Sequence, residues 1–152
     1  GPEIEDKLQK FFKKKVLIDL NTAHGNFRRG IYLRINLNIK NNFKKKLNRE
    51  KIINIYKKYY QNRKKFKFIH TLDFKKMHKK NEKEYNVYPA VNSVIGSNNC
   101  IIGIDYDEIL GSFKLIATSD NLVKGAAGSA IQNMNIMFKF KEDEALSKYG
   151  IF

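Results

Sequence analysis

The stretch LNTAHGNFRRG, residues 20–30, gathers the side chains best suited to chemistry in this 152-residue chain: His24, followed by Arg28 and Arg29. Histidine is the side chain that ordinarily titrates nearest neutrality, so it suits proton transfer. A guanidinium offers a planar fork to carboxylate or phosphate oxygens. Together they could hold an anionic substrate and move a proton on it, although a lone loop histidine is more often an ordinary surface residue. His70 and His78 fall in a strand-like run and a polar loop, and no spacing of His, Cys, Asp or Glu suggests a metal set. Cys100 opens the apolar run CIIGI, where a small buried hydrophobe is expected rather than a thiolate nucleophile.

A second feature is DNLVKGAAGSAIQNMNIMF, residues 120–138, which places Gly125, Ala126, Ala127 and Gly128 at the start of a helical pattern. Small side chains there let a ligand or another piece of backbone approach the free N–H groups of a helix start. The spacing is neither GxGxxG nor GxxxxGK[ST], so close packing and a ligand cradle both stand. Val123, Ala127, Ala130, Ile131, Met134, Met137 and Phe138 recur at helical spacing and mark one face as core or interface.

The elements that must position these residues follow from periodicity. PEIEDKLQKFF spaces Ile4, Leu8, Phe11 and Phe12 as an amphipathic helix with acidic residues in its first turn. KVLIDLNTA is a short run of strand type. IYLRINLNI alternates strictly, with Ile31, Leu33, Ile35, Leu37 and Ile39 on one side. Asn48 is placed to cap a second helix running to about Gln61, with Leu47 and Ile52 as a staple and Ile52, Ile55, Tyr56, Tyr59 and Tyr60 as its buried stripe. KFKFIHTL predicts another strand and 73–88 an exposed, lysine-rich connection. CIIGIDYD and FKLIATS flank the turn EILG as an antiparallel hairpin. This order predicts one α+β domain over 1–152: a mixed or antiparallel sheet with helices packed mainly on one face.

Composition narrows the function classes. No apolar run approaches a membrane span, so no membrane partner is expected. A single cysteine excludes an intrachain disulfide framework and favours an intracellular compartment. Thirty Lys and Arg against fifteen Asp and Glu give a net charge of +15, which raises a nucleic-acid or other acidic partner as an alternative. The lysines lie in scattered short runs, however, and Lys, Asn and Ile are enriched together, so a solvated basic surface is favoured over a dedicated polyanion site.

Beyond these residue-level readings, DNLVKGAAGSAIQNMNIMF closely resembles the C-terminal signature of the N-acetyl-gamma-glutamyl-phosphate reductase family. PEIE at 2–5, TAHGNFRRGI at 22–31 and PAVNSVIGSNNCIIGIDYDE at 89–108 are similar to further family segments in the same order. The resemblance implies a fold like the C-terminal domain of glyceraldehyde-3-phosphate dehydrogenase. It also implies NADPH-dependent reduction of N-acetyl-glutamyl phosphate to N-acetylglutamate semialdehyde in arginine biosynthesis, in a cytoplasmic homo-oligomer.

Carried over by position, His24 matches an acid/base or substrate-orienting histidine, Arg29 an arginine that holds the anionic substrate, and Gly96, Ser97 and Asn98 a turn near the substrate. Asn121 and Gly125 match the segment returning to the nicotinamide side of the cofactor. Ala23, Gly25 and Asn92 depart from the family pattern. The family's glycine-rich Rossmann turn and its Gly-Cys-Tyr-Pro-Thr nucleophile segment do not occur in this sequence, and Cys100 does not match that segment. The resemblance therefore implies a catalytic and dimerisation portion that binds no cofactor tightly alone, is inactive by itself, and takes the Rossmann half of the same enzyme as partner. A repurposed basic binding module and a subunit of a split reductase are the rival expectations.

Overall fold

The computed structural model describes residues 2–39, 46–60, 67–73 and 89–150. Helix α1 (Pro2–Phe12) is followed by strand β1 (Ile31–Asn38), helix α2 (Arg49–Tyr60), strands β2 (Ile69–Asp73), β3 (Cys100–Asp107) and β4 (Ser112–Ser119), and helix α3 (Gly128–Met137). A 3-10 turn at Val91–Ser93 precedes β3, and a π-helical turn at Val123–Ala127 leads into α3. The strands form one mixed sheet in the order β1-β4-β3-β2. β1 and β3 both run antiparallel to β4, while β2 is parallel to β3. The α+β class expected from sequence is the one found.

The β3–β4 hairpin forms where EILG places it. Asp107 Oδ1 accepts the N–H groups of Ile109 and Leu110, both at 3.0 Å, so the tight connection satisfies its own backbone. In the hairpin register Ile104 faces Leu115 and Tyr106 faces Phe113, which puts these four on one side of the sheet. Ile52 and Ile53 of α2 close over them to form the main core, with Ile39, Leu47, Tyr56 and Ile102 at its edge. Asn48 caps α2 as expected: its Oδ1 accepts Lys51 N–H at 2.9 Å. The buried stripe is rotated from the expected one, because Ile55 and Tyr59 are exposed and Ile53 is buried. The helix turns the arc centred between Ile53 and Tyr56 to the sheet, and residues 55 and 59 fall beside that arc.

One further expectation is corrected. KVLIDLNTA is not a strand: 15–23 runs without regular structure, with Leu17 and Leu20 exposed, and Ile18 gives its N–H to Glu5 Oε1 of α1 at 2.7 Å. That side-chain acceptor stands where a strand would need a neighbouring backbone carbonyl. The alternating strand 31–38 is present but is an edge strand exposed along its whole length. Its apolar side continues the core face, since Ile35 pairs with Leu115 and Leu37 with Phe113. Helix α2 lies over β2, β3 and the core face of β4, and it does not extend over β1. The expected connection at 73–88 lies, from residue 74, outside the described residues.

Helix α3 resolves part of the small-residue question. A Cβ on Gly128 would sit 2.4 Å from Oδ1 of the fully buried Asn98, so glycine there is required by close packing within the chain. A Cβ on Gly125 would make only ordinary contacts, at 3.4 Å from Asp120 O and 3.6 Å from Ile31 Cδ1. The face expected to be core or interface is largely open, with Ala127, Met134, Met137 and Phe138 exposed and Asn135 buried instead. Asn135 Nδ2 donates to the carbonyls of Glu142 and Glu144, at 3.2 and 2.9 Å, fastening the following segment to the helix. Replacing Gly128 by Ala is expected to lower unfolding stability by about 2 kcal/mol through this overpacking. The Gly125→Ala change should stay within about 0.5 kcal/mol of wild type, both read from urea denaturation midpoints.

Candidate functional site

Strand β4 ends at Ser119, and the backbone must turn from extended to helical within a few residues. Asp120 makes that turn. Its Oδ1 accepts the N–H groups of Leu122 and Val123, both at 2.8 Å, in the manner of a helix cap. Its carbonyl accepts Gly125 N–H at 2.8 Å, closing the π-helical turn. The second carboxylate oxygen serves other segments: Oδ2 accepts Gly96 N–H at 2.6 Å and lies 2.8 Å from Arg29 Nε. Asp120 is fully buried, and burial alone would push its carboxyl up. The N–H groups of Gly96, Val123 and Leu122, with the Arg29 guanidinium, outweigh burial and hold it below the ordinary carboxylate range.

The neighbouring Asn121 ties down the same loop. Its Oδ1 accepts Gly30 N–H at 2.7 Å. Gly30 has a φ of 111°, and a Cβ there would fall 2.1 Å from Val91 Cγ1, so only glycine allows the loop to dock at this point. Above these contacts, the loop and the start of β1 border an open depression of about 440 Å³, with His24, Arg28, Arg29, Tyr32 and Asn121 on its walls.

Three residues singled out from sequence, His24, Arg29 and Asn121, therefore meet around one depression. His24 is exposed and bonds nothing among the described residues. Gly96 reaches the same hub through its backbone N–H. Ser97 and Asn98 are buried and turned into the protein. Ser97 Oγ donates to Val94 O at 2.8 Å, and Asn98 Nδ2 donates to Gln132 Oε1 at 2.9 Å. Gly125 lies on the exposed surface of the π-helical turn with Ala126 and Ala127, its N–H already committed to Asp120.

A second polar cluster lies behind α3. Gln132 Oε1 also accepts from Lys124 Nζ at 2.8 Å, and Gln132 Nε2 donates to Glu142 Oε1 at 2.8 Å. Burial lowers the Lys124 ammonium, opposed by Cys100 and Glu142. Burial pushes the Cys100 thiol up, against the opposing charge of Lys124, so it stays protonated at neutral pH and is not a ready nucleophile. His70 Nε2 lies 3.2 Å from Asn99 Oδ1 on the surface, and His78 is outside the described residues. Among the described residues no group of three or more His, Cys, Asp or Glu gathers as metal ligands, and no helix is long and apolar enough to cross a membrane.

Asp120 was not singled out from sequence for a role at this site. For Asp120 a signal existed: an Asp directly after an apolar strand and before a helical pattern is a helix-capping position. Nothing in the sequence indicated that its second oxygen would reach Arg29, 91 positions earlier.

Comparison with known proteins identifies relatives. The family model described as semialdehyde dehydrogenase, dimerisation domain, matches residues 1–121. The N-acetyl-gamma-glutamyl-phosphate reductase of Listeria welshimeri is 36% identical over 151 residues, and that of Thermoanaerobacter pseudethanolicus 35% over 151. Each alignment covers 99% of this chain and 39% of the relative. A Campylobacter jejuni reductase of the same name is 36% identical over 149 residues, which is 98% of this chain and 38% of the relative. The chain thus spans about two fifths of the length of these relatives.

The direction of the Asp120 shift fixes a pH dependence. A carboxylate held below its unfolded value, about 3.9, contributes stability that is complete above that pH and is lost as pH falls through the folded value. Asp143, held down by Lys148 and Lys67, acts in the same direction. Asp120→Asn should therefore be less stable than wild type at about pH 6, and the gap should narrow toward about pH 3, with a shallower acid limb in the urea midpoints.

Proposed function

Because this chain belongs to the semialdehyde dehydrogenase dimerisation-domain family, we propose that it is the catalytic and dimerisation portion of an N-acetyl-gamma-glutamyl-phosphate reductase. The intact enzyme converts N-acetyl-glutamyl phosphate to N-acetylglutamate semialdehyde, a step of arginine biosynthesis carried out in the cytoplasm. The observation that carries this reading is the depression walled by His24, Arg29 and Asn121, with an arginine anchored beneath it.

In this reading Arg29 pairs with a carboxylate or phosphate of the substrate, because its guanidinium can give two parallel hydrogen bonds to such a group. His24 has the exposure to reach the reacting carbonyl and moves the proton that accompanies its reduction. Gly96 shapes the substrate site by fixing the turn before β3, and Ser97 and Asn98 hold that turn from within.

The residues present fit a nicotinamide only in part. Asn121 and the exposed, side-chain-poor surface of Gly125, Ala126 and Ala127 leave room for a flat ring to approach. No glycine-rich dinucleotide turn accompanies them in this sequence, so the remainder of NADPH belongs to a Rossmann half. When bound, NADPH supplies the hydride; Asn121 and Gly125 would border its ring.

The uncovered side of β1 supports a homo-oligomer. Ile31, Leu33, Ile35 and Leu37 are each between 38 and 47% exposed on a continuous sheet face, where a second copy could complete the layer that α2 leaves open. Leu33→Lys should then convert an associated species to a monomer in sedimentation velocity without loss of helical and strand signal. An unchanged sedimentation coefficient would remove this face as the contact.

The activity is tested by co-expressing the chain with the Rossmann half of a relative. NADPH-dependent turnover of N-acetyl-glutamyl phosphate is expected from the pair and none from the chain alone. In the pair, His24→Asn should lower kcat by about 100-fold and Arg29→Gln should raise KM by about tenfold. Turnover by the chain alone, or full activity of both variants, would overturn the assignment.

A further inference from the structure

We infer that Asp120 is the positioning residue of this site: it aims the Arg29 guanidinium at the anion and ties that arginine to the turn at Gly96 and to the π-helical turn before α3. The inference rests on the anion role proposed for Arg29. A helix cap alone would need only Oδ1, which Leu122 and Val123 already occupy. The other oxygen is spent on Gly96 N–H and on Arg29 Nε, from two segments far apart in sequence.

With its carboxylate held by the three backbone N–H groups of Gly96, Leu122 and Val123, Asp120 has no freedom to follow a moving arginine, so the arginine must conform to it. Arg29 meets Asp120 as an ion pair, with Nε 2.8 Å from Oδ2, and that buried nitrogen is held by charge pairing without an aligned hydrogen bond. The side chain as a whole keeps 28% of its exposure on the wall of the depression, and its two Nη groups bond nothing among the described residues. The fork is left open while its root is fixed. Asn121 secures the next residue by accepting Gly30 N–H, so Arg29 is held by both side chain and backbone.

Arg28 provides the internal contrast. It borders the same depression, is exposed, and has no partner among the described residues. A free arginine loses rotamer freedom on binding an anion, whereas an anchored one has lost it beforehand. Of two adjacent arginines, the fold preorganises one.

The test uses the 152-residue chain and two probes, inorganic phosphate and N-acetylglutamate, titrated by NMR. In the wild type the Arg29 Nε–H resonance should be resolved and slow to exchange, and that of Arg28 averaged with solvent. Asp120→Asn keeps the shape and the capping oxygen but turns an amide N–H₂ toward Arg29 and Gly96. It should weaken probe binding about tenfold. In an Arg29→Gln background the same change should produce no further weakening.

Absence of probe binding by the wild type, or undiminished binding by Arg29→Gln, would overturn the anion role of Arg29. Weakened binding by Arg29→Gln with wild-type affinity in Asp120→Asn, or equal weakening by Asp120→Asn in both backgrounds, would overturn the positioning role alone. Should Asp120→Asn not fold, the wild-type spectrum decides: an Arg29 Nε–H as exchangeable as that of Arg28 overturns the inference.

Discussion

A buried carboxylate can keep its charge in a protein interior only if hydrogen-bond donors replace the water it has lost. At Asp120 those donors are the N–H groups of Gly96, Leu122 and Val123, with the Arg29 guanidinium as ion-pair partner. Satisfying one charge therefore draws together three segments: the loop before β1, the turn before β3 and the π-helical turn before α3. The depression borders this junction, and its position follows from what the carboxylate demands. Asn121 and Gly30 repeat the tie one residue further along each segment.

The sheet shows a complementary economy. Helix α2 covers β3 and β4 through Ile52 and Ile53, and the apolar row of β1 continues the same face without a cover among the described residues. An edge strand with an open apolar side is a liability for an isolated chain and a resource for one that assembles. The membership of a dimerisation-domain family agrees with that architecture. Around α3 the exposed Met134, Met137 and Phe138 present a second open surface, beside the turn proposed to border the cofactor.

Much of the fold was legible because local physics dictates it. The alternation of 31–38, the hairpin about Asp107, the Asn48 cap and the helical pattern after Gly128 each depend on neighbours within a few residues. The errors fall where partners are distant. KVLIDLNTA has strand-like composition, but Glu5 takes the Ile18 N–H that a strand pairing would have used. The stripe of α2 is rotated because the sheet beneath it, rather than helical periodicity alone, selects Ile53 over Ile55. Around the depression, His24 and Arg29 stood out by residue type and Asn121 by family resemblance, while Asp120 carries no sign of its second oxygen's partners.

The sequence by itself determined the residue chemistry, the α+β order and the family signature from Asp120 to Phe138, since these reside in residue types and short-range spacing. Only the tertiary structure decided that Gly128 is small for the sake of Asn98, whereas Gly125 is open to solvent. It alone also decided that Arg29 is anchored and Arg28 is not. The reason is geometric: Arg29 and Asp120 are 91 positions apart, and an ion pair needs its N and O within about 4 Å, so sheet register and loop docking have to bring them into reach.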